Sequence, residues 1–526
     1  VLDRLYELQN PMAHYSQNDS SLTNAFKETL ILAKDDIISL QSNGVINTDN
    51  VLLVVFHAGV GQDFAVPFLD PTPYDLSSAY IDPLMLDGWD SISELGFAVD
   101  HGIILPETQN HIFYDVIEDL FFNENDYCDY QIGLTGIFSL LVGYAIGLPP
   151  MYNTETGDAG VGLFGLMDYG SNNGRGVMPS PPTAWSKIYM GWEDPIVIEN
   201  QSYNEQYDFS IDNSQIYKII ISENEYFLIE NRNNWIKDFV DIDSLLIKGF
   251  SQQKINNYFE IIIDSTEVSR DNLTKVVTHV PNYDYGLPGS GILIWHIDEN
   301  AINENKLNLT SINNDIAKNG IDLEEADGAQ DIGFDSQFLF VDPSLGLWSD
   351  FWFENNSQFF IANEVLQIDS VEFTNQSFPN SNANTGANSH ISLTHFSKPS
   401  KIMTFKYENP YLIDEFQNFD RKMIFSYDFN DDKIEEIIGI NDSIWWTSAE
   451  QFLPVSFFEF NDDFKYLTTL TNVNNLPEFV IAILNDDKVN IISMTYNGVF
   501  SPLWSQTIDM SYLPVRISGN KNLSLI

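Results

Sequence analysis

The stretch from Ile132 to Leu148 (IGLTGIFSLLVGYAIGL) carries no charged residue and runs directly into Pro149-Pro150-Met151-Tyr152-Asn153. Such a run has to leave water, and the Gly and Pro residues behind it end any helix it forms. It falls short of the ~20 apolar residues that span a bilayer, and no Lys or Arg flanks it closely. The expectation is a helix buried in a soluble core.

Several other segments carry their own signatures. Val51 to Phe56 is an apolar run that ends in His57-Ala58-Gly59-Val60-Gly61-Gln62-Asp63. Downstream come Gly165-Leu166-Met167-Asp168-Tyr169-Gly170, then Thr183-Ala184-Trp185-Ser186-Lys187-Ile188-Tyr189-Met190-Gly191-Trp192. Glu225-Tyr226-Phe227-Leu228-Ile229-Glu230-Asn231-Arg232 and Gly291-Ile292-Leu293-Ile294-Trp295-His296-Ile297-Asp298-Glu299 follow. In this order, over roughly residues 1–405, the segments resemble the M6 (immune inhibitor A-like) family of secreted metalloproteases. The resembled features are a His-Ala-Gly-x-Gly strand end, a Leu-Met turn flooring the active site, a Trp-x-Lys-x-x-x-Gly-Trp segment and strands beyond the protease domain. Gly147-Leu148-Pro149 followed by x-Met-Tyr-Asn is similar to the Gly-Leu-Pro-Asp-Leu-Tyr-Asp run closing that family's His-Glu-x-x-His-x-x-Gly-x-x-Asp signature.

The resemblance implies a zincin-like scaffold from which the chemistry has been removed. In its register the first His falls on Leu140, the catalytic Glu on Leu141, the second His on Tyr144 and the Asp ligand on Pro150. Only Gly143 and Gly147 keep the family's character. Zinc needs three protein ligands and an open position, and Leu and Pro offer no donor atom. One phenol cannot hold the ion alone. Zinc is therefore expected to be absent, and no residue is assigned a catalytic role. The chain is expected to be an inactive pseudoprotease with a binding or structural role, its cleft open to an extended peptide or a cell-surface ligand. The alternative is an active secreted metallopeptidase or other hydrolase using a relocated metal site.

Charge narrows the partners. With 76 acidic against 24 basic residues the formal net charge is −52, which repels nucleic acid and anionic membrane. It suits a secreted or cell-surface protein in salty water, and it suits bound calcium. The single cysteine, Cys128, allows no intrachain disulfide and sits among Glu124, Asp126 and Asp129, which disfavour a thiolate. No leader is legible after Val1, and both ends read as interior segments of a larger protein.

Three regions are expected. Residues 1–195 alternate helical and strand patterns, with a helix over Leu22–Leu40, a strand at Val51–Phe56 and a second helix starting at Ile104-Leu105-Pro106-Glu107 and continuing through Ile112, Val116, Ile117 and Leu120. This suits an α/β zincin-like domain. Residues 196–408 switch to period two, as in Tyr217–Ile221, Tyr226–Ile229, Tyr258–Ile263, Gly291–Trp295 and Ile402–Tyr407, which indicates a β-sandwich interrupted by a polar segment from Asn300 to Asp335. Residues 409–526 carry oxygen side chains at alternate positions in Asp428-Phe429-Asn430-Asp431-Asp432-Lys433-Ile434-Glu435-Glu436. That spacing can curl around calcium, with Asp428, Asn430, Asp432 and Glu436 as side-chain ligands and Ile434 giving its carbonyl. It resembles the calcium loops of FG-GAP/VCBS propeller repeats, with Lys433 where the usual Gly stands. A weaker copy around Asn472 to Val480 follows at roughly the 40-residue period of propeller blades. The competing reading is an acidic turn on a β-meander.

Two further groups deserve mention. His111, Asp115 and Glu118 share a helix face and can be read as metal ligands or, in so acidic a chain, as solvated surface. His296-Ile297-Asp298-Glu299 follows a strand and is assigned a structural role. No His-Glu-x-x-His, Gly-x-Ser-x-Gly or Walker pattern occurs.

Overall fold

The computed structural model describes residues 2, 4–40, 51–64, 70, 72–110, 132–198, 207–237, 240–241, 244, 266–271, 276–307, 311–334, 342–408, 422–427, 436–440, 444–447, 452–456, 465–473, 476–485, 487–496, 500–511, 517–518 and 524–525. They belong to two compact units, Val1–Leu412 and Ile413–Ile526. The architecture is mixed α/β with several sheets, and among the described residues none closes into a barrel or propeller. No helix among them is long and apolar enough to cross a membrane.

The first unit begins with a helix over Asp19–Ser39, capped by the Asn18 side chain accepting from Ser21 N. Its buried face, including Phe26, Leu30 and Ile37, packs with Ile81, Leu95 and Ile104. Beside it lies a three-stranded sheet of β1 (Val54–Val60), β2 (Ala79–Ile81) and β3 (Gly102–Thr108) in the order β1-β3-β2, with β1 parallel and β2 antiparallel to β3.

Residues 104–107, expected to open a helix, therefore lie in the central strand. Ile103, Ile104 and Leu105 are buried from both sides, the first and third against Leu141 and the second against the N-terminal core. Pro106 sits near the strand end opposite His57. A Pro followed by Glu reads alike at a helix start and a strand end, and burial decided between them. The expected continuation through 112–120, with His111, Asp115, Glu118 and Cys128, lies outside the described residues.

A five-stranded sheet forms the centre of the unit. It combines β4 (Ile196–Val197), β6 (Ile216–Ile220), β7 (Glu225–Arg232), β10 (Gly291–Asp298) and β11 (Ile321–Leu323) in the order β11-β10-β7-β6-β4. A three-stranded sheet, β12-β13-β5, is made by β5 (Tyr207–Asp212), β12 (Ser392–Thr394) and β13 (Ile402–Glu408). A short ribbon pairs β8 (Ser269–Arg270) with β9 (Val277–His279). Period-two alternation sends Phe227, Ile229, Ile292 and Ile294 toward Leu393, Met403 and Phe405 of the smaller sheet. The intervening Tyr226, Leu228, Leu293, Trp295 and Ile297 face the opposite layer, where Leu140, Met167 and Trp185 lie. Burial on both faces explains why β7 and β10 read as continuous apolar runs.

The step expected at residue 195 is thus bridged by one shared core. The polar segment from Asn300 holds part of the Glu299–Leu307 helix and β11, which extends the sheet it was expected to interrupt. Tyr258–Ile263 lies outside the described residues.

The second unit contains two four-stranded antiparallel meanders. The first runs β14 (Lys422–Tyr427), β15 (Glu436–Ile440), β16 (Ile444–Thr447) and β17 (Phe452–Ser456), and the second β18 (Lys465–Val473), β19 (Leu476–Asn485), β20 (Lys488–Tyr496) and β21 (Phe500–Asp509). A last pair joins β22 (Ile517–Ser518) to β23 (Ser524–Leu525).

Candidate functional site

The uncharged stretch forms a helix over Thr135–Ala145. It ends on Gly147, whose φ of 100° puts it in the left-handed region. Gly147 N donates to Tyr144 O and Leu148 N to Gly143 O, a Schellman closure that turns the chain back. Met151 N then reaches Met167 O at 3.0 Å, which fastens the returning chain to the turn carrying Met167. That turn lies against the helix: a Cβ on Gly143 would stand 2.5 Å from Met167 Sδ. Asp168 braces it from below, its Oδ2 accepting from the N–H groups of Gly160, Val161 and Gly162 and its Oδ1 from Tyr169 N. Burial pushes the Asp168 carboxyl up to about 6, against those four bonds, which favour its charged form.

The four positions read from the sequence do not form a ligand set. Leu140 lies in the central core with Leu148, Met151, Met167 and Trp295, and Leu141 packs on Ile103 and Leu105. Tyr144 shares a hydrogen bond of 3.3 Å with the Tyr152 hydroxyl, and its ring lies 6.0 Å from that of Tyr80. Burial holds the Tyr144 phenol well above its ordinary range. Pro150 offers only its carbonyl, which accepts from Ser311 Oγ. His57 stays on β1 with Nδ1 against its neighbour's carbonyl, Ala58 O.

Three of the segments quoted in the sequence analysis, 183–192, 225–232 and 291–299, meet instead through buried and half-buried polar contacts. Glu230 accepts from Lys187 at 3.3 Å and from Trp295 Nε1 at 3.0 Å. Arg232 bridges Glu230 and Asp284. Burial alone would raise the Glu230 carboxyl, and Lys187 and Arg232 outweigh it, so its pKa lies below the usual range. Glu299 accepts from Trp185 Nε1 and the Tyr226 hydroxyl. His296 is held at both ring nitrogens, Nε2 to Glu225 at 2.8 Å and Nδ1 to Glu324 at 2.9 Å. Burial opposes its charge, but the two carboxylates win and lift its pKa to about 9. With both nitrogens occupied, His296 has none to offer a metal.

One carboxylate set was not assembled from the sequence. Glu325 and Asp327, just beyond β11, meet Asp350, and their oxygens all lie within 4.8 Å of one another. Glu325 also accepts from the N–H groups of Asp331 and Ile332, Asp327 from Ala329 N and Ser349 Oγ, and Asp350 from Leu347 N. Burial, with neighbouring carboxylates adding to it, drives Glu325 and Asp350 well above the carboxylate range. No ion pair among the described residues neutralises them. Oxygen-only donors of this kind could hold a hard cation rather than zinc. Glu324-Glu325-Ala326-Asp327-Gly328 was the available signal, but Asp350 is brought in only by the fold. Of the calcium ligands read from the sequence, Asp428, Asn430 and Asp432 lie outside the described residues, and Glu436 opens β15. Compared with family models, curated proteins and solved structures, the chain matches none.

Proposed function

We propose that this chain is an exported, catalytically inactive relative of the M6 metalloproteases, acting by binding or as a structural element. The observation that carries this reading is the environment of the apolar helix. Leu140 and Leu141 are buried core residues and Tyr144 bonds to another phenol, over a Met167 turn. Apolar packing at Leu140 and Leu141 and the phenol pair at Tyr144 support a site without a water-activating ion. Further support comes from the polar contacts that tie three of the resembling segments together around Glu230 and Glu299.

Calcium is the ion proposed for the second unit. The eight residues between β14 and β15 carry Asp428, Asn430 and Asp432, and the four-stranded meanders support reading this unit as propeller blades. The equivalent connection between β18 and β19 spans only Asn474 and Asn475, too short to wrap an ion.

The deciding experiment is a fluorogenic peptide-library assay on the full chain, with and without chelator, beside metal analysis of the purified protein. The expected result is no cleavage and no zinc. Chelator-sensitive cleavage would overturn the proposal and favour a relocated metal site.

A further inference from the structure

The turns beyond β5, β7 and β9 and the residues just before β8 and β13 line an open cavity of about 660 Å³ that shares no residue with the apolar helix, the Met167 turn or the acidic trio. This volume falls in the ~300–1,000 Å³ range of small-molecule sites. Its lining includes Asn233, Trp235, Lys237, Glu267, Tyr285 and Lys401.

Three features of that lining point to one ligand chemistry. Asn233 is only 7% exposed, and its Oδ1 accepts from Trp235 N at 3.0 Å, which sets the orientation of the amide. Its Nδ2 has no partner among the described residues. A buried donor left without an acceptor is unfavourable, so the site favours a guest that supplies one. Next, two lysines line this one cavity in a chain with 24 basic and 76 acidic residues. Neither Lys237 nor Lys401 is in an ion pair among the described residues. Against the one carboxylate of the lining, Glu267, they leave it with a net positive formal charge in an otherwise acidic chain. Finally, Trp235 and Tyr285 bring aromatic surface beside amide and carboxylate side chains. Aromatic faces receive the C–H faces of a sugar ring, while hydroxyl groups bond to polar neighbours such as Glu267.

From this lining we infer that the cavity binds an acidic saccharide, a sugar bearing a carboxylate. Lys237 and Lys401 face the carboxylate, Asn233 Nδ2 donates to a ring or hydroxyl oxygen, and Glu267 accepts from a hydroxyl. The site is independent of whether the apolar helix is catalytic, so the two proposals fail separately.

Calorimetric titration of the full chain in calcium-free buffer tests it, with trisaccharides of galacturonate and of glucuronate as probes and their neutral counterparts as controls. At least one acidic trisaccharide should bind, its neutral counterpart about tenfold more weakly. The double variant Lys237→Gln/Lys401→Gln should lose about tenfold in affinity with its melting temperature unchanged, and added salt should weaken binding to the wild type more than to the variant. Intrinsic fluorescence should change on addition of the acidic probe, and Trp235→Phe should remove that change. Failure of both acidic probes to bind, equal binding of the neutral sugars, or an unaffected double variant would each overturn the inference.

Discussion

Gly136 and Gly143 stand two turns apart on one face of the apolar helix, where neighbouring chain approaches most closely. A Cβ at Gly136 would meet Ser171 O at 1.8 Å, and one at Gly143 would meet Met167 Sδ at 2.5 Å. In a free helix, Ala in place of Gly gains about 1 kcal/mol. Here overpacking reverses the sign, at about 1–3 kcal/mol. Gly136→Ala should be the worse of the two, because a backbone carbonyl cannot swing aside as a Met side chain can. Urea unfolding of both variants checks the order; stabilisation by either would contradict it. Rebuilding the motif as Leu140→His, Leu141→Glu and Tyr144→His should destabilise the unit by a few kcal/mol and still bind no zinc, since charge enters a core and Pro150 supplies no third ligand. Metal analysis and thermal melting of the triple variant measure both halves of that expectation.

At the level of elements, β7, β10 and β11 bring His296, Glu225 and Glu324 together, and this has a pH signature. The folded pKa of His296, about 9, exceeds the ordinary histidine value of 6.5. Its charge therefore contributes stability that is fully present below about 6.5 and is lost as pH rises through about 9. His296→Gln should flatten the stability profile in that window. Denaturant midpoints at successive pH values read this directly. Glu325 and Asp350 act in the same direction, from the ordinary carboxylate range upward. With Glu325 and Asp350 raised, stability is greatest where both are protonated and falls as pH rises above the ordinary carboxylate range. In chelator-containing buffer, Asp350→Asn should raise the midpoint at pH 8 by more than at pH 4. An equal effect at both would mean that the buried charge is not the cause. Element types were largely legible in the chain. The helix at 19–39 follows from helical spacing and β13 from alternation, while the apolar helix, β1, β7 and β10 are legible as apolar runs bounded by Gly, Pro or polar residues. β3 was not legible, because Ile103-Ile104-Leu105 packs on both faces and such a run has the period of neither helix nor strand.

For the whole molecule, a net charge of −52 works against compaction. Raising sodium chloride from low to physiological strength should increase the melting temperature through screening. Millimolar calcium should add to this beyond an ionic-strength-matched control, because an ion bound only by the folded chain stabilises it by mass action. Comparing Asp428→Ala with Asp350→Asn locates the effect, in the β14–β15 connection or in the trio. A calcium response no larger than that of the matched salt would remove calcium from the proposal.

The sequence by itself determined that Ile132–Leu148 would pack into a core, though Phe138 and Ile146 stay exposed, that β7 and β10 are apolar runs, and that positions 140 and 141 carry side chains without donor atoms. These are local properties: hydrophobicity, period and the donor atoms a side chain possesses. What only the tertiary structure decided are the meetings of distant residues. Asp350 joins Glu325 and Asp327, Glu225 and Glu324 clamp His296 from neighbouring strands, and Lys401 comes to line one cavity with Asn233 and Lys237. Such juxtapositions depend on strand order and on which face of a sheet each residue takes. Neither is written into any one segment, because each depends on which neighbour buries that face.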